Sequence, residues 1–453
     1  MNIIIAGNGK VGSTLARHLT DEGHDIIMID ENPHVLADGI TDLDIMTVQG
    51  NCAAMNVLLK AGVQTADLLI AVTSADEVNL LCCTTAHGLN PKLHTIARIR
   101  DPEYTEQIYA LRELFPLSMT INPELQTARE IARLLKYPGF LRRDSFAKGR
   151  AEIVELRIDA GSKLCNISLI EMAGVVKTKV LVCAVLRDGQ TLVSNSGSFV
   201  LREGDRIFVT ASSANLTVML KNLGIITRPA RKVVLCGGGR NSYYLADILE
   251  RDGVRVHLID KDPQRCRELA ELLHHTEIIC ADATDQDLLE EENLSDCDAL
   301  VNLTGIDEVN MIMALYGHAR QIPQVITKLS HIDQRGVISS LRLGSVVCPK
   351  ELSSNHIVRY VRAMQNQTGA AVSLHTIADG QAEAIEFIAD ANTKNCGVPL
   401  KQLKLKPQVI IASITHGRTT EIPGGDSCFR EGDSIVVVTS RRGELQQLGD
   451  IFA

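Results

Sequence analysis

The chain has 453 residues, enough for about three domains. Its 46 basic and 55 acidic residues give a formal charge of −9, and only 3% of it is aromatic, with no Trp. This balance argues against a sequence-independent nucleic-acid surface and against an aromatic stacking platform, while 45% hydrophobic residues exclude a disordered chain.

Met1–Ala6 reads directly as a strand, with no basic leader and no cleavage site. The longest apolar run, about Val180–Leu186, is far short of the ~20 residues a membrane helix needs. The first ~140 residues alternate strand candidates (Ile3–Ala6, Asp25–Ile29, Ile45–Val48, Leu68–Val72, His94–Ile99) with amphipathic stretches, which predicts a parallel sheet covered by helices. A basic run, Arg142 to Arg150, reads as a solvated hinge, with a phosphate or lipid site as the minority reading. Beyond it Glu152–Ile158, Val180–Val185 and Arg206–Thr210 are strands of a smaller α+β lobe, with turns such as Arg187-Asp188-Gly189 between them.

The pattern then repeats. Ile3–Lys10 (Ile-Ile-Ile-Ala-Gly-Asn-Gly-Lys) faces Val233–Arg240 (Val-Val-Leu-Cys-Gly-Gly-Gly-Arg), and Ile27–Asp30 faces His257–Asp260, both at an offset of 230. Asp76-Glu77-Val78-Asn79 recurs as Asp307-Glu308-Val309-Asn310, and Arg202–Asp205 recurs as Arg430–Asp433. The chain is a tandem duplication joined near 227–232. Its predicted class is α/β: two Rossmann-like doubly wound parallel-sheet domains, each followed by a small α+β lobe. The boundaries are 1–122 and 230–348 for the sheet domains, 123–150 and 349–368 for the helical connections, and 151–226 and 369–453 for the lobes. The helical stretches Pro123–Lys136 and 349–365 carry apolar faces and read either as crossover helices pairing neighbouring modules or as ordinary core helices.

Gly7-Asn8-Gly9-Lys10-Val11-Gly12 is a GxGxxG loop after a strand, before a helix and 18 residues ahead of Asp30. Gly7 permits a tight turn, Gly9 lets a pyrophosphate approach, and Gly12 lets helix and strand pack closely. The helix N-terminus offers unbonded N–H groups to phosphates. Asp30, with Glu31 beside it, suits ribose hydroxyls and repels a 2′-phosphate, which favours NAD(H). The bland alternative is a glycine turn of structural use only. In the second copy Gly237, Gly238 and Gly239 are followed by Arg240, Asn241 and Ser242. Ser242 stands where Gly12 stands, so close packing is expected to suffer there. Asp260 is retained with Lys261 beside it. That site reads as a dinucleotide site, a mononucleotide site or a relic. Thr73-Ser74 and Thr304-Gly305 end equivalent strands, as ligand contacts or as strand-end caps. Arg98 and Lys328 occupy matching positions, as phosphate partners or in surface ion pairs. The twelve cysteines form no CxxC pair, which argues against a zinc ribbon and for a reducing, cytosolic setting.

Taken together and in this order, the two glycine loops, Asp30 and Asp260, Ala71-Val72-Thr73, Ile96–Arg100 and the β-rich tails make the chain similar to the bacterial potassium-uptake regulatory family with tandem RCK (KTN) modules. The resemblance covers essentially the whole chain. It implies RCK N-lobes and C-lobes, a homo-oligomeric ring on the cytoplasmic face of the inner membrane beneath a TrkH-type membrane subunit, and control by NAD(H) and in some members ATP or ADP. It implies a regulatory subunit rather than an enzyme, a soluble NAD-dependent oxidoreductase being the alternative. Carried over by position, the first site comprises Gly7–Gly12, Asp30, Thr73, Ser74 and Arg98. The second comprises Gly237–Asn241, Asp260, Thr304 and Lys328, together with Asp282 from the family's Gly-Asp-Ala-Thr motif. The first copy has Gly50-Asn51-Cys52-Ala53 in place of that motif. The resemblance supplies no catalytic and no metal residue.

Overall fold

A computed structural model of the chain describes residues 1–38, 44–110, 114–193, 197–225, 228–285, 289–290, 296–330, 341, 343–364, 371–391, 393–440, 443–445 and 447–453. The predicted junction at Thr227 and the predicted helix end at Gln365 lie outside them. The chain forms two compact units, Met1–Thr127 with Cys348–Val358, and Ala128–Val347 with Arg359–Ala453.

In the first unit β1 (Asn2–Ala6), β2 (Asp25–Asp30), β3 (Met46–Gln49), β4 (Leu68–Ala71), β5 (His94–Arg98) and β6 (Met119–Ile121) form a parallel sheet in the order β3-β2-β1-β4-β5-β6. The order reverses between β1 and β4, which opens a crevice at the carboxyl ends of those strands. Ile3, Ile4, Ile5, Leu68, Leu69 and Ile70 are completely buried, as central parallel strands covered on both faces require. The helix Pro123–Lys136 begins in this unit. There Gln126 hydrogen-bonds His356 Nδ1 at 2.5 Å and accepts from Ser353 Oγ at 3.2 Å, so the two predicted crossover helices touch each other.

In the second unit β7 (Arg142–Phe146), β8 (Ala151–Arg157), β9 (Leu181–Arg187), β10 (Gln190–Leu192) and β11 (Arg206–Ala211) form an antiparallel sheet ordered β10-β9-β11-β8-β7. A second parallel sheet follows: β12 (Lys232–Cys236), β13 (Arg255–Asp260), β14 (Thr276–Cys280), β15 (Ala299–Asn302), β16 (Gln324–Lys328) and β17 (Ser345–Val347), ordered β14-β13-β12-β15-β16-β17. The last sheet, β18 (Ala371–Ile377), β19 (Ala382–Ile388), β20 (Val409–His416), β21 (Thr419–Glu421) and β22 (Ser434–Thr439), is ordered β18-β19-β22-β20-β21. With β7 matched to β18, the two antiparallel sheets have the same topology.

Those two antiparallel sheets share one core: Phe146, Ile153, Ala184 and Phe208 pack with Ile377, Ala384, Ala412 and Val436. The contact is nearly two-fold symmetric within one chain, as an isologous dimer interface would be. Asp144 on β7 pairs with His375 on β18 at 2.9 Å, and the two are equivalent positions at an offset of 231. Burial alone would raise the Asp144 carboxyl, but Arg142 and His375 beside it hold it well below the usual carboxylate range. Arg143 makes a two-pronged pair with Glu152, at 2.8 and 2.6 Å, and stacks 3.8 Å over the Tyr137 ring. The basic run expected to be a solvated hinge therefore begins as a buried strand. Its charges are matched by groups that the fold brings to them. No helix among the described residues is long and apolar enough to cross a membrane.

Candidate nucleotide sites

Each candidate site lies where a strand ends in a glycine loop. Gly7 and Gly237 both have φ +102°, a conformation that side chains rarely adopt. A Cβ at Gly7 would also stand 3.0 Å from the Thr73 backbone, and one at Gly237 would stand 2.9 Å from that of Thr304. The turn thus presses each loop against the end of the neighbouring strand. Gly9 and Gly239 are the N-caps of the helices Lys10–Asp21 and Arg240–Arg251, and neither cap has a side chain bonded to the helix amides. A Cβ at either glycine would meet nothing within 4 Å. Open space, unbonded first-turn amides and no acidic residue in either first turn make a cradle that fits a phosphate. Lys10 and Arg240 stand at the first helical position and add positive charge.

The acids do what their position at a strand end allows. The Asn8 N–H donates to Asp30 Oδ2 at 2.7 Å, and the Asn32 N–H donates to Oδ1 at 2.9 Å. In the second copy the Gly238 N–H donates to Asp260 Oδ2 and the Asp262 N–H to Oδ1 at 2.8 Å. Each carboxylate therefore fixes its glycine loop and keeps lone pairs at the crevice edge. Asn8 adds a bond of its own, from Nδ2 to the Val35 carbonyl at 2.6 Å.

Two residues that sequence reasoning passed over complete the scaffold. Asn79 is fully buried. Its Oδ1 accepts from the Thr73 N–H (2.8 Å) and Oγ1 (2.7 Å), while its Nδ2 donates to the Arg98 carbonyl (2.9 Å). Asn310 does the same for Thr304 (2.9 and 2.7 Å) and Lys328 (3.0 Å). Thr73 and Arg98, and likewise Thr304 and Lys328, are thus locked together through one amide. The recurrence of Asp-Glu-Val-Asn was the visible signal. The aspartate of that tetrapeptide is also used. Asp76 accepts from the Arg100 and Asp101 N–H groups (2.7 and 2.9 Å), and Asp307 accepts from that of Ser330 (2.9 Å).

Ser74 is exposed, and its carbonyl accepts from Arg100. Lys328 is buried, with Nζ donating to the Leu303 carbonyl at 3.3 Å. Asp282 lies two residues past the end of β14, the strand beside β13, and accepts from the Thr284 N–H (2.9 Å) and Oγ1 (2.7 Å). Asn51 makes the matching turn with the Ala53 N–H at 2.8 Å, so the departure from the motif keeps the turn and drops the charge. Ser242 overturns the expectation of impaired packing. It is fully buried, and its Oγ donates to the Gly237 carbonyl.

Sheet order, switch point and paired glycine loops define a tandem, doubly wound α/β protein. The TrkA-N domain model matches residues 3–115 and 233–349, and the TrkA-C domain model matches residues 153–224. The chain belongs to the TrkA family. It is 31% identical over 464 residues to the Trk system potassium uptake protein TrkA of Vibrio alginolyticus, covering 100% of this chain and 98% of that protein. It is 30% identical over 453 residues to a TrkA homolog of Archaeoglobus fulgidus, with 100% of both chains covered. Among solved structures, the GsuK channel matches with a TM-score of 0.62 at 17% identity, covering 98% of this chain and 77% of that one. The GsuK channel bound to NAD matches at 0.60 and 16%, with the same coverage. These likenesses show that the chain shares the fold of those structures.

Proposed function

We propose that the chain is a regulatory, nucleotide-binding subunit of a potassium uptake system, not an enzyme. The observation that carries this reading is the duplicated open cradle. In both halves open space at Gly9 or Gly239 adjoins a glycine loop fixed by a strand-end aspartate and a neighbouring strand end tied by a buried asparagine. Full-length kinship with TrkA proteins named for potassium uptake supplies the process.

In this reading NAD(H) occupies the first site. Its pyrophosphate lies on the amides of Gly9–Gly12 with Arg98 as a charge partner and its ribose on Asp30, while Thr73 and Ser74 face the phosphate or nicotinamide half. ADP, ATP or a second dinucleotide lies on Gly237–Asn241 and Asp260, with Asp282 toward the adenine and Thr304 and Lys328 across the crevice. The chain works as a homo-oligomeric ring on the cytoplasmic face of the membrane, against a TrkH-type subunit that holds the ion path. Regulation is by population shift: a nucleotide that prefers one ring shape moves the balance by its differential affinity alone. A coupling of about 1–2 kcal/mol, roughly 5–30-fold, is enough to regulate flux.

The test is ion flux through the host's TrkH-type subunit in liposomes, with the purified protein and with or without NADH and ATP. Nucleotide-dependent flux whose NADH response Asp30→Asn shifts to about tenfold or more higher NADH is the expected result. Flux indifferent to both protein and nucleotide overturns the reading.

A further inference from the structure

All twelve cysteines are free. Eight are buried, three are half-buried and one, Cys280, is exposed. Cys280 ends β14 and stands opposite Asp260 of β13 in the parallel register. Cys266, in the helix Pro263–Leu272 after β13, is only 6% exposed, and its Sγ lies 3.2 Å from the Asp260 carbonyl oxygen. That same oxygen accepts the Ala281 N–H at 3.0 Å, so helix and strand converge on one backbone group. Cys266 on the helix and Cys280 at the strand end thus flank the Asp260 backbone from its two sides. Burial first, and then the neighbouring Cys280 thiol, push the Cys266 thiol up to about 11. An accessible thiol and a shielded thiol thus meet at one backbone group, which is the arrangement of a reacting thiol and its resolving partner.

The first half has nothing comparable at these positions, which hold Leu36 and Gln49 (266 − 230 and 280 − 231). Its own interacting pair, Cys52 and Cys82, is 5% and 0% exposed, inside the core of the first sheet domain.

We propose that Cys266 and Cys280 form a reversible disulfide at the rim of the second glycine-loop site, made by exchange with a low-molecular-weight disulfide, and that this bond changes nucleotide affinity at that site alone. In the first step the Cys280 thiolate attacks one sulfur of the small disulfide. The new S–S bond joins Cys280 to one half of the reagent, and the other half leaves as a thiolate and takes up a proton. In the second step Cys266 gives up its proton and attacks the Cys280 sulfur, releasing the second half as a thiol. The protein thiols lose two electrons and two protons, and the small disulfide gains them. The high pKa of Cys266 slows the second step at neutral pH, while adjacency raises its effective concentration. The closed bond ties the helix Pro263–Leu272 to the end of β14. It does so beside the Asp260 carboxylate that fixes Gly238 and just before Asp282. The affinity effect rests on the nucleotide reading above; formation of the disulfide does not.

The test exposes the full chain to oxidised glutathione and maps its sulfurs by mass spectrometry. A Cys266–Cys280 linkage that dithiothreitol reverses is expected, as is a glutathione adduct that stays on Cys280 in Cys266→Ser. A persistent adduct on wild-type Cys280, or no modification of either residue, overturns the pair. ADP is then titrated into reduced and oxidised Asp30→Asn protein, where the first site is weakened. A change in affinity of about fivefold, the lower end of ordinary coupling, is expected. Equal affinity in both states overturns the coupling. No binding in either state overturns the coupling together with the nucleotide reading, and a mapped disulfide then still stands.

Discussion

The two glycine loops share a backbone and fill it differently. Gly7 and Gly237 adopt the same φ, Asp30 and Asp260 accept the same loop amide, and Asn79 and Asn310 tie the same two strand ends. At the third glycine position the halves part. A Cβ on Gly12 would fall 1.9 Å from the Gly7 carbonyl oxygen, whereas Ser242 carries a Cβ in a fully buried place and donates its hydroxyl to the Gly237 carbonyl. A carbonyl beneath the first turn of a helix can be accommodated by bare close approach or by a hydroxyl bond. The third glycine of the motif is the first of these solutions, and the fold itself does not demand it.

Placing alanine at both positions tests this difference with the largest expected effect. Gly12→Ala forces a backbone clash and should destabilise the first sheet domain by about 3 kcal/mol. Ser242→Ala removes one hydrogen bond from a site that already holds a Cβ and should cost about 1 kcal/mol. Chemical denaturation of both variants measures the contrast, and equal losses would mean that the loops do not differ in packing. By contrast, Asn79→Ala and Asn310→Ala should behave alike. Each leaves a part-buried threonine amide and a strand-end carbonyl without their partner, at about 2–3 kcal/mol in either half. A loss confined to one half would show that only that scaffold depends on the amide. Asp30→Asn acts on binding more than on folding. Losing the charge in its bonds to ribose hydroxyls should raise the dissociation constant for NADH about tenfold or more, by calorimetry. Asp260→Asn should do the same to ADP at the second site and leave NADH binding at the first site unchanged.

What the sequence disclosed follows from where the physics is local. A glycine turn, a helix start and an acid at a strand end are each imposed by a few adjacent residues, so both loops and both acids were legible, as were five strands of the first sheet. The hinge misreading arose from the opposite situation. Arg143 and Asp144 look solvated when read along the chain. Their partners Glu152 and His375 arrive only when β8 and β18 pack, and His375 lies 231 residues away. Asn79 was visible as part of a repeat, but a buried amide that spans two strand ends has no local signature. Ser242 breaks the glycine pattern without loss, because the position requires that one carbonyl be accommodated and not that a side chain be absent.

The smallest expected effect concerns the residues beside the two acids, Glu31 and Lys261, both exposed. The Asp282 carboxylate is held below the usual range first by the Thr284 amide, then by the Thr284 hydroxyl, and further by the charge of Lys261. Lys261 therefore acts on the same rim as Asp260 and Asp282, and its charge favours an anionic ligand there. Lys261→Glu should weaken ADP binding by about threefold at low ionic strength, the scale of an exposed charge pair. The loss should vanish near 1 M salt, where the screening length shrinks to about 3 Å. Glu31→Lys should relax the first site toward the 2′-phosphate of NADPH, because the repulsion that disfavours it is gone. Calorimetry at two salt concentrations separates the possibilities. A loss that survives high salt means that Lys261 touches the ligand directly. No loss at either salt means that the phosphates lie away from this rim, on the helix amides alone, and that the charge difference between the halves serves Asp282 and not the ligand.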